Sequence, residues 1–181
     1  MKLWLVRHAQ PLIAPGICYG ATDVAVDEQA TRQAAQTLAR TLPPGLPLRI
    51  SPLQRCGQLE QALSGPRPDL LGKTDARLAE MNFGCWEGQR WDAIPQAYYD
   101  RWTADFGNHR FGGQESVQEF VRRVAAVWDE TLREGVDTVW ITHAGVIRAA
   151  TLIAQGVRDV TQAAQWPQDA PAFGCWCVLE G

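Results

Sequence analysis

Residues 2–10 read KLWLVRHAQ, and this stretch indicates the fold more strongly than any other in the 181-residue chain. The apolar run at 3–6 is typical of a buried strand. It stops at Arg7 and His8, a permanent cation followed by an ionisable ring. A charge at the end of a buried strand needs a compensating partner. The stretch therefore predicts a first strand whose carboxyl end presents functional groups.

Strand and helix patterns alternate along the rest of the chain. Further strands are predicted at 48–50, at 138–142, in the tail 172–179 and, more weakly, at Arg77–Leu78. Helices are predicted from Asp27, residue 53, residue 91, Ser116 and residue 146 onward, with Pro95 interrupting the helix over 91–102. This alternation predicts an α/β fold, with a mostly parallel central sheet between helices on both faces. We expect a three-layer α/β/α sandwich and a single domain over residues 1–181.

Bulk composition excludes several classes of partner. The formal charge of −3 and pI near 5.6 provide no long-range attraction for nucleic acid or for an anionic membrane. No apolar stretch approaches the roughly 18 residues of a membrane span. The N-terminus lacks a signal-peptide pattern, so we expect a cytoplasmic protein. The five cysteines are scattered without metal-ligand spacing and are expected to be reduced thiols: Cys18, Cys56, Cys85, Cys175 and Cys177. The close pair, Cys175 and Cys177, is expected to pack in the core.

Two of the three histidines, His8 and His143, end predicted strands and are followed by small residues. In a largely parallel sheet, ligands sit at the carboxyl ends of the strands. Either histidine alone could simply cap its strand by bonding backbone, but together they indicate a site. His109 lies in a loop and is predicted at the surface or at a pocket rim.

Arginine suits a phosphate dianion, because its planar fork of donors is always charged. Arg7 precedes the first histidine, Arg55 follows the second predicted strand, and Arg148 lies on the helix after His143. For Arg55 and Arg148 an ion pair with a surface carboxylate is a serious alternative. Arg148 is the weakest candidate, since one helical turn beyond His143 it could face away from the site.

Five short motifs occur in order: LVRHAQ (5–10), SPLQRC (51–56), LAEMNFGCWEG (78–88), GQES (113–116) and ITHAGVIR (141–148). Together they resemble the histidine phosphatase superfamily, also called the phosphoglycerate mutase-like family. The resemblance implies the phosphoglycerate mutase-like fold and a nucleophilic role for His8. It also implies a phosphate pocket of Arg7, Arg55 and His143, with His143 counted among the catalytic residues and Glu80 as the proton donor.

The chemistry of these residue types agrees with that implication. A neutral imidazole among fixed cations can attack phosphorus in line and form a phosphohistidine. Glu80 would then protonate the leaving alkoxide, helped by apolar neighbours that favour the neutral carboxyl. Glu87 is the competing acid, and pairing of Glu80 with Arg77 is the structural alternative. The arginines replace a metal, so no cofactor is predicted.

Two departures from the family pattern affect the predicted pocket. Ala9 and Gln10 follow His8, and the Asn usual a few positions later is missing. That phosphate contact is therefore either lost or supplied by another group. Leu59 and Glu60 stand where a Thr-Ala pair usually follows the second arginine. The helix remains plausible there, but its contact with the pocket is in doubt.

The segment YGATDVAV (19–26) resembles alpha-ribazole phosphatases, which act in cobalamin assembly. This implies a small phosphorylated metabolite as partner. The alternatives are a broad-specificity histidine phosphatase, a phosphoglycerate mutase-like sugar-phosphate enzyme and a catalytically silent module that binds phosphorylated ligands. The oligomeric state stays open, with a homodimer as one option. Five aromatic residues form either a substrate wall or core: Trp86, Trp91, Tyr98, Tyr99 and Trp102.

Overall fold

The predicted opening strand forms, and its residues Leu3, Leu5 and Val6 are fully buried. The computed structural model describes residues 1–181. Its elements in chain order are β1 (Lys2–Arg7), α1 (Glu28–Thr41), β2 (Leu48–Ile50), α2 (Gln54–Ser64), β3 (Gly72–Thr74), α3 (Gln96–Ala104), α4 (Val117–Glu134), β4 (Thr138–Thr142), α5 (Ala144–Ala154) and β5 (Trp176–Glu180).

The five strands form one sheet in the order β3-β2-β4-β1-β5. All neighbours are parallel except β5, which runs antiparallel to β1 at the edge. Arg7 is opposite Thr142 in the register between β1 and β4. The residues that follow, His8 and His143, therefore emerge side by side at one edge of the sheet.

Alternating residues of the central strands pack against different helix layers. Leu3, Leu5 and Trp140 belong to a buried cluster with α4 and α5. Val6 and Ile141 belong to a second cluster with α1 and α2 on the opposite face. The predicted three-layer α/β/α sandwich with a mostly parallel sheet is confirmed.

Local capping signals place the long helix α4. The Ser116 hydroxyl accepts from the Glu119 N–H while the Glu119 carboxylate accepts from the Ser116 N–H, which is the predicted capping box. Gly135 ends the helix in the left-handed conformation, at φ +67°. These signals fix where α4 begins and ends beneath the sheet.

The predicted strand at Arg77–Leu78 is wrong. Residues 76–78 form a 3-10 turn, because the Asp75 carboxylate accepts from the Arg77 N–H and closes it. The strand in this region is β3, Gly72–Thr74, whose three residues are exposed at the sheet edge. The predicted interruption of the 91–102 helix at Pro95 is confirmed, because Pro95 separates a 3-10 turn at 91–93 from α3.

The cysteines form no disulfide, and the predicted packing of Cys175 in the core is wrong. Cys175 is exposed just before β5, whereas Cys177 is half-buried within it. No group of three or more His, Cys, Asp or Glu side chains is placed to hold a metal ion. None of the helices combines the length and the apolar character that crossing a bilayer requires.

Candidate active site

A cavity of about 420 Å³ opens at the carboxyl ends of β1 and β4. Its walls come from the β1 end, the Glu80 loop, the start of α5, and α3 with the residues that follow it. Most of the lining side chains are apolar, and the charged ones gather near the sheet edge. The charged residues of the lining are Arg7, Glu80 and Arg148, and the neutral ring of His8 lies among them.

His8 presents one defined ring nitrogen. Its Nδ1 lies 2.7 Å from the Ala9 carbonyl oxygen, which can only accept, so Nδ1 carries the proton. Nε2 therefore keeps its lone pair. Burial lowers the pKa of His8 to about 3, with a further lowering by Arg55 and Arg7. The ring is neutral at pH 7, the state that a nucleophile requires.

Arg7 is held at the cavity without using all its donors. Its Nη1 donates to the Pro171 carbonyl at 2.9 Å, and the guanidinium lies 3.8 Å from the centre of the Phe173 ring. The Nε atom is buried with no hydrogen-bond partner. A buried, unpartnered guanidinium donor is costly, so an anionic ligand would be stabilised here.

Arg55 and His143 lie behind His8 and form no part of the cavity lining. Arg55 is completely buried; its Nε donates to His143 Nδ1 at 3.1 Å and its Nη atoms donate to the Thr22 and Gly20 carbonyls. The ion pair considered for Arg55 is therefore wrong.

His143 has both ring nitrogens occupied. Nδ1 accepts from Arg55, which can only donate, so the neutral ring carries its proton on Nε2 and directs it to the Ser51 hydroxyl at 2.6 Å. Burial, then Arg55 and His8, hold the pKa of His143 well below its usual value. The ring centres of His8 and His143 are 5.2 Å apart. Direct contact of His143 with a phosphoryl group requires it to exchange a partner, whereas Arg55 uses only three of its five N–H groups. The role of both residues stays a prediction.

Glu80 reaches the cavity from the loop after the 3-10 turn. Its two carboxylate oxygens accept from the backbone N–H groups of Met81 and Gly145, each at 3.0 Å. The alternative pairing with Arg77 is wrong, because Arg77 binds Asp75 and Glu130 instead. The carboxyl group is thus aimed at the start of α5, beside the predicted nucleophile.

Glu87 has a different setting. Its carboxylate accepts from the N–H groups of Ala21 and Phe83 and from the Thr22 hydroxyl. It joins the 20–22 loop to the 83–87 turn and does not line the cavity. The geometry therefore favours Glu80 over Glu87 as the acid nearest the site.

Arg148, whose direction the sequence left open, lines the cavity. Its Nη2 donates to the Gln168 carbonyl at 2.8 Å, and its Nε is buried without a partner. That carbonyl takes the place of the surface carboxylate considered as a partner. His109 lies outside the lining.

The aromatic residues divide between wall and packing. Trp91, Tyr99 and Trp102 line the cavity, while Trp86 and Tyr98 pack against each other outside it. Phe106 and Trp166, which were not predicted, extend the wall. A substrate would therefore meet charge at the sheet edge and flat apolar surface beyond it.

The sequence model of the histidine phosphatase superfamily (branch 1) matches residues 3–179. The chain belongs to this superfamily. Members of this superfamily are phosphatases, which supports a phosphatase activity for this chain. The match includes all five strands except Lys2 of β1 and Glu180 of β5, and it includes Arg7, His8, Glu80 and Arg148.

Known proteins resemble this histidine phosphatase at moderate identity. It is 28% identical over 165 residues to "Putative phosphoserine phosphatase 2" of Hydrogenobacter thermophilus, covering 86% of this chain and 79% of the relative. The solved structure of TTHB049 from Thermus thermophilus is 29% identical, with a TM-score of 0.71 and coverage of 99% and 94%. A mycobacterial glucosyl-3-phosphoglycerate phosphatase bound to inorganic phosphate has a TM-score of 0.81 at 21% identity, covering 99% and 89%.

Sequence reasoning missed several groups of this histidine phosphatase site. Ser51, the partner of His143, directly follows β2 and precedes a proline. His8 and His143 likewise directly follow β1 and β4. Tyr19 lines the cavity and is the first residue of the YGATDVAV segment, which predicted a family resemblance but no contact for this residue. Position at a strand end was the available signal for Ser51. The contacts of Tyr19 arise from a loop without periodicity.

Proposed function

We propose that this histidine phosphatase is a metal-independent phosphomonoesterase that forms a phosphohistidine on His8, within one domain spanning residues 1–181. The observation that supports the proposal most is the His8 tautomer. Its Nδ1 proton is directed to Ala9, so the Nε2 lone pair remains for attack. Arg7 and Glu80 line the same cavity and supply the charge and the acid.

In the proposed reaction, His8 Nε2 bonds to phosphorus as the bond from phosphorus to the ester oxygen breaks. The Glu80 carboxyl gives its proton to that oxygen, and the carboxylate then takes a proton from the water that hydrolyses the phosphohistidine. Arg7 holds phosphoryl oxygens as charge spreads over them. Arg55 would donate to the phosphoryl group through the Nη hydrogens that the Thr22 and Gly20 carbonyls leave free, and His143 would do so by giving up its bond to Ser51.

For the substrate, we propose a small phosphorylated metabolite, with alpha-ribazole 5′-phosphate of cobalamin biosynthesis as the first candidate. The YGATDVAV motif supports it, and a flat aromatic wall suits a substrate that carries an aromatic base. A phosphorylated amino acid or sugar acid is the second candidate. It is favoured by the name of the relative and by Arg148, whose free donor would bind a carboxylate.

The nucleophile is tested by His8→Ala. We expect loss of turnover and of an acid-labile, alkali-stable phosphoenzyme after rapid quenching with labelled substrate. Tyr98→Phe, outside the cavity, is the control and should keep both. Persistence of the phosphoenzyme in the His8 variant would refute the nucleophile.

The substrate is tested by comparing kcat/KM for alpha-ribazole phosphate, phosphoserine, 3-phosphoglycerate, fructose 2,6-bisphosphate and aryl phosphates. The first candidate predicts a preference of at least tenfold for alpha-ribazole phosphate. Comparable values for all five would support a broad-specificity phosphatase. Absence of turnover on every substrate, with binding retained, would favour a silent binding module.

A further inference from the structure

One guanidinium outside the cavity lining forms hydrogen bonds to the backbone of the Glu80 loop. Arg123 extends from α4, and its Nη1 donates to the carbonyl oxygens of Arg77 and Ala79 at 2.6 and 2.7 Å. Its Nη2 donates to the Glu80 carbonyl at 3.1 Å. Three carbonyls within four residues are thus fixed by a single side chain. Charge-assisted bonds of this kind are stronger than neutral ones.

Glu115 binds both Arg123 and the backbone on the C-terminal side of Glu80. Its carboxylate pairs with Arg123 through both oxygens, at 2.7 Å to Nε and 3.1 Å to Nη2. One of these oxygens also accepts from the Asn82 N–H at 3.0 Å. The pair is largely shielded, with 22% of the Arg123 side chain and 16% of the Glu115 side chain exposed. The chain is therefore held both before and after Glu80.

We propose that Arg123 and Glu115 form a positioning pair that fixes the Glu80 backbone and thereby sets the proton transfer to the leaving group. Neither side chain lines the cavity. Arg123 contacts two lining residues from behind, the carbonyl of Glu80 and the ring of Phe120, whose centre lies 4.6 Å from the guanidinium. A catalytic group has to be held within about 0.5 Å of its productive position, and a loop residue needs such external support. This inference rests on the proposed role of Glu80 as the acid.

The test is the leaving-group dependence of kcat/KM in Arg123→Gln, because kcat/KM reports only the steps up to release of the leaving group and not hydrolysis of the phosphohistidine. Good leaving groups such as p-nitrophenolate need no proton, whereas alkoxides do. We expect kcat/KM for an alkyl phosphate to fall at least tenfold and kcat/KM for p-nitrophenyl phosphate to change less than threefold. Equal losses on both substrates would mean that Arg123 only supports folding, and would overturn the proposal.

Arg110→Gln is the matched control. Arg110 also pairs with a glutamate of α4, Glu119, but makes no contact with the Glu80 loop. Its leaving-group dependence should equal that of the wild type. Glu115→Gln is the second variant, used if Arg123→Gln does not fold. It should lower kcat/KM for the alkyl phosphate three- to tenfold with kcat/KM for p-nitrophenyl phosphate kept, and an unselective loss would again overturn the proposal.

Glu80→Gln separates failure of this inference from failure of the proposed function. If Glu80→Gln shows no leaving-group selectivity, the acid assignment itself fails. If Glu80→Gln slows alkyl phosphates selectively, the double variant of Glu80→Gln with Arg123→Gln tests whether Arg123 acts through Glu80. We expect no further loss beyond Glu80→Gln on alkyl phosphates, because the same step is already removed. Multiplication of the two losses would show that Arg123 acts elsewhere and would overturn the positioning role.

Discussion

His8 and His143 occupy equivalent places at the ends of neighbouring strands, yet their ring nitrogens differ in availability. His8 satisfies Nδ1 with the Ala9 carbonyl and leaves Nε2 open. His143 uses both nitrogens, on Arg55 and Ser51. The sequence could predict that two strands end in histidine. It could not predict which nitrogens are free, because their partners come from distant elements.

Arg123 shows a second limit of prediction from sequence at the residue scale. Three of its acceptors are backbone carbonyls. Every residue has a carbonyl, so such contacts carry no sequence signature. Glu80, in contrast, could be proposed from its motif, and its predicted loop position agrees with the structure. The contacts of Arg123 with the backbone around Glu80 could be identified only from the structure.

Gly145→Ala is expected to disturb Glu80 without harming the fold. A Cβ at Gly145 would lie 2.2 Å from a Glu80 carboxylate oxygen, so the carboxyl group must move. Alanine favours a helix by up to about 1 kcal/mol over glycine. We expect at least a tenfold loss of kcat on alkyl phosphates with an unchanged or higher melting temperature. Gly57→Ala, where nothing lies within 4 Å, is the control and should keep full activity.

Among the secondary-structure elements, α4 was the most predictable and β3 the least. α4 has an apolar face, a capping box and a C-terminal glycine, all local signals. β3 has three exposed residues and a central lysine, with no alternation to mark it. Its existence depends on pairing with β2, which is not local. Elements defined by their own side chains could be predicted, whereas an edge strand defined by its neighbour could not.

Ser116→Ala is expected to destabilise the protein through α4. Loss of the N-cap removes the acceptor for the Glu119 N–H and costs about 1 kcal/mol. The free energy of unfolding from urea denaturation measures this, with an unchanged m-value. Ser64→Ala, in the exposed last turn of α2, is the control and should change it by less than about 0.5 kcal/mol. Equal effects of both substitutions would contradict the capping role.

The layering of the whole molecule could be predicted from the alternation of strands and helices, but the complete sheet order could not. Four parallel strands follow from crossover helices. The antiparallel addition of β5 beside β1 places the tail next to the site, where Pro171 contacts Arg7 and Phe173 lies over its guanidinium. Nothing in the local pattern of the tail fixes its direction.

Acid should destabilise the whole molecule through its two buried histidines. Their folded-state pKa values, about 3 for His8 and well below normal for His143, lie under the unfolded value of about 6.5. The unfolded chain therefore binds more protons below pH 6.5. This stabilisation is complete above that pH and is lost as the pH falls toward 3. We expect a fall of up to about 1.4 kcal/mol per pH unit for each histidine.

Urea unfolding at several values between pH 5 and 7.5 measures this slope. His8→Gln removes one of the two groups, so its slope should be smaller than that of the wild type. The difference between the two proteins isolates His8 from carboxylates that titrate in both. Identical slopes would contradict the buried neutral state of His8.

The position of β1 has a consequence for the timescale on which the protein opens. This strand is hydrogen-bonded on both sides, to β4 and to β5, and Leu3, Leu5 and Val6 are inaccessible to solvent. Amide protons in such a strand exchange with water only when the sheet itself comes apart. Local opening of the outer loops therefore leaves the strand that carries His8 in place, and we expect the β1 amides to exchange only on global unfolding.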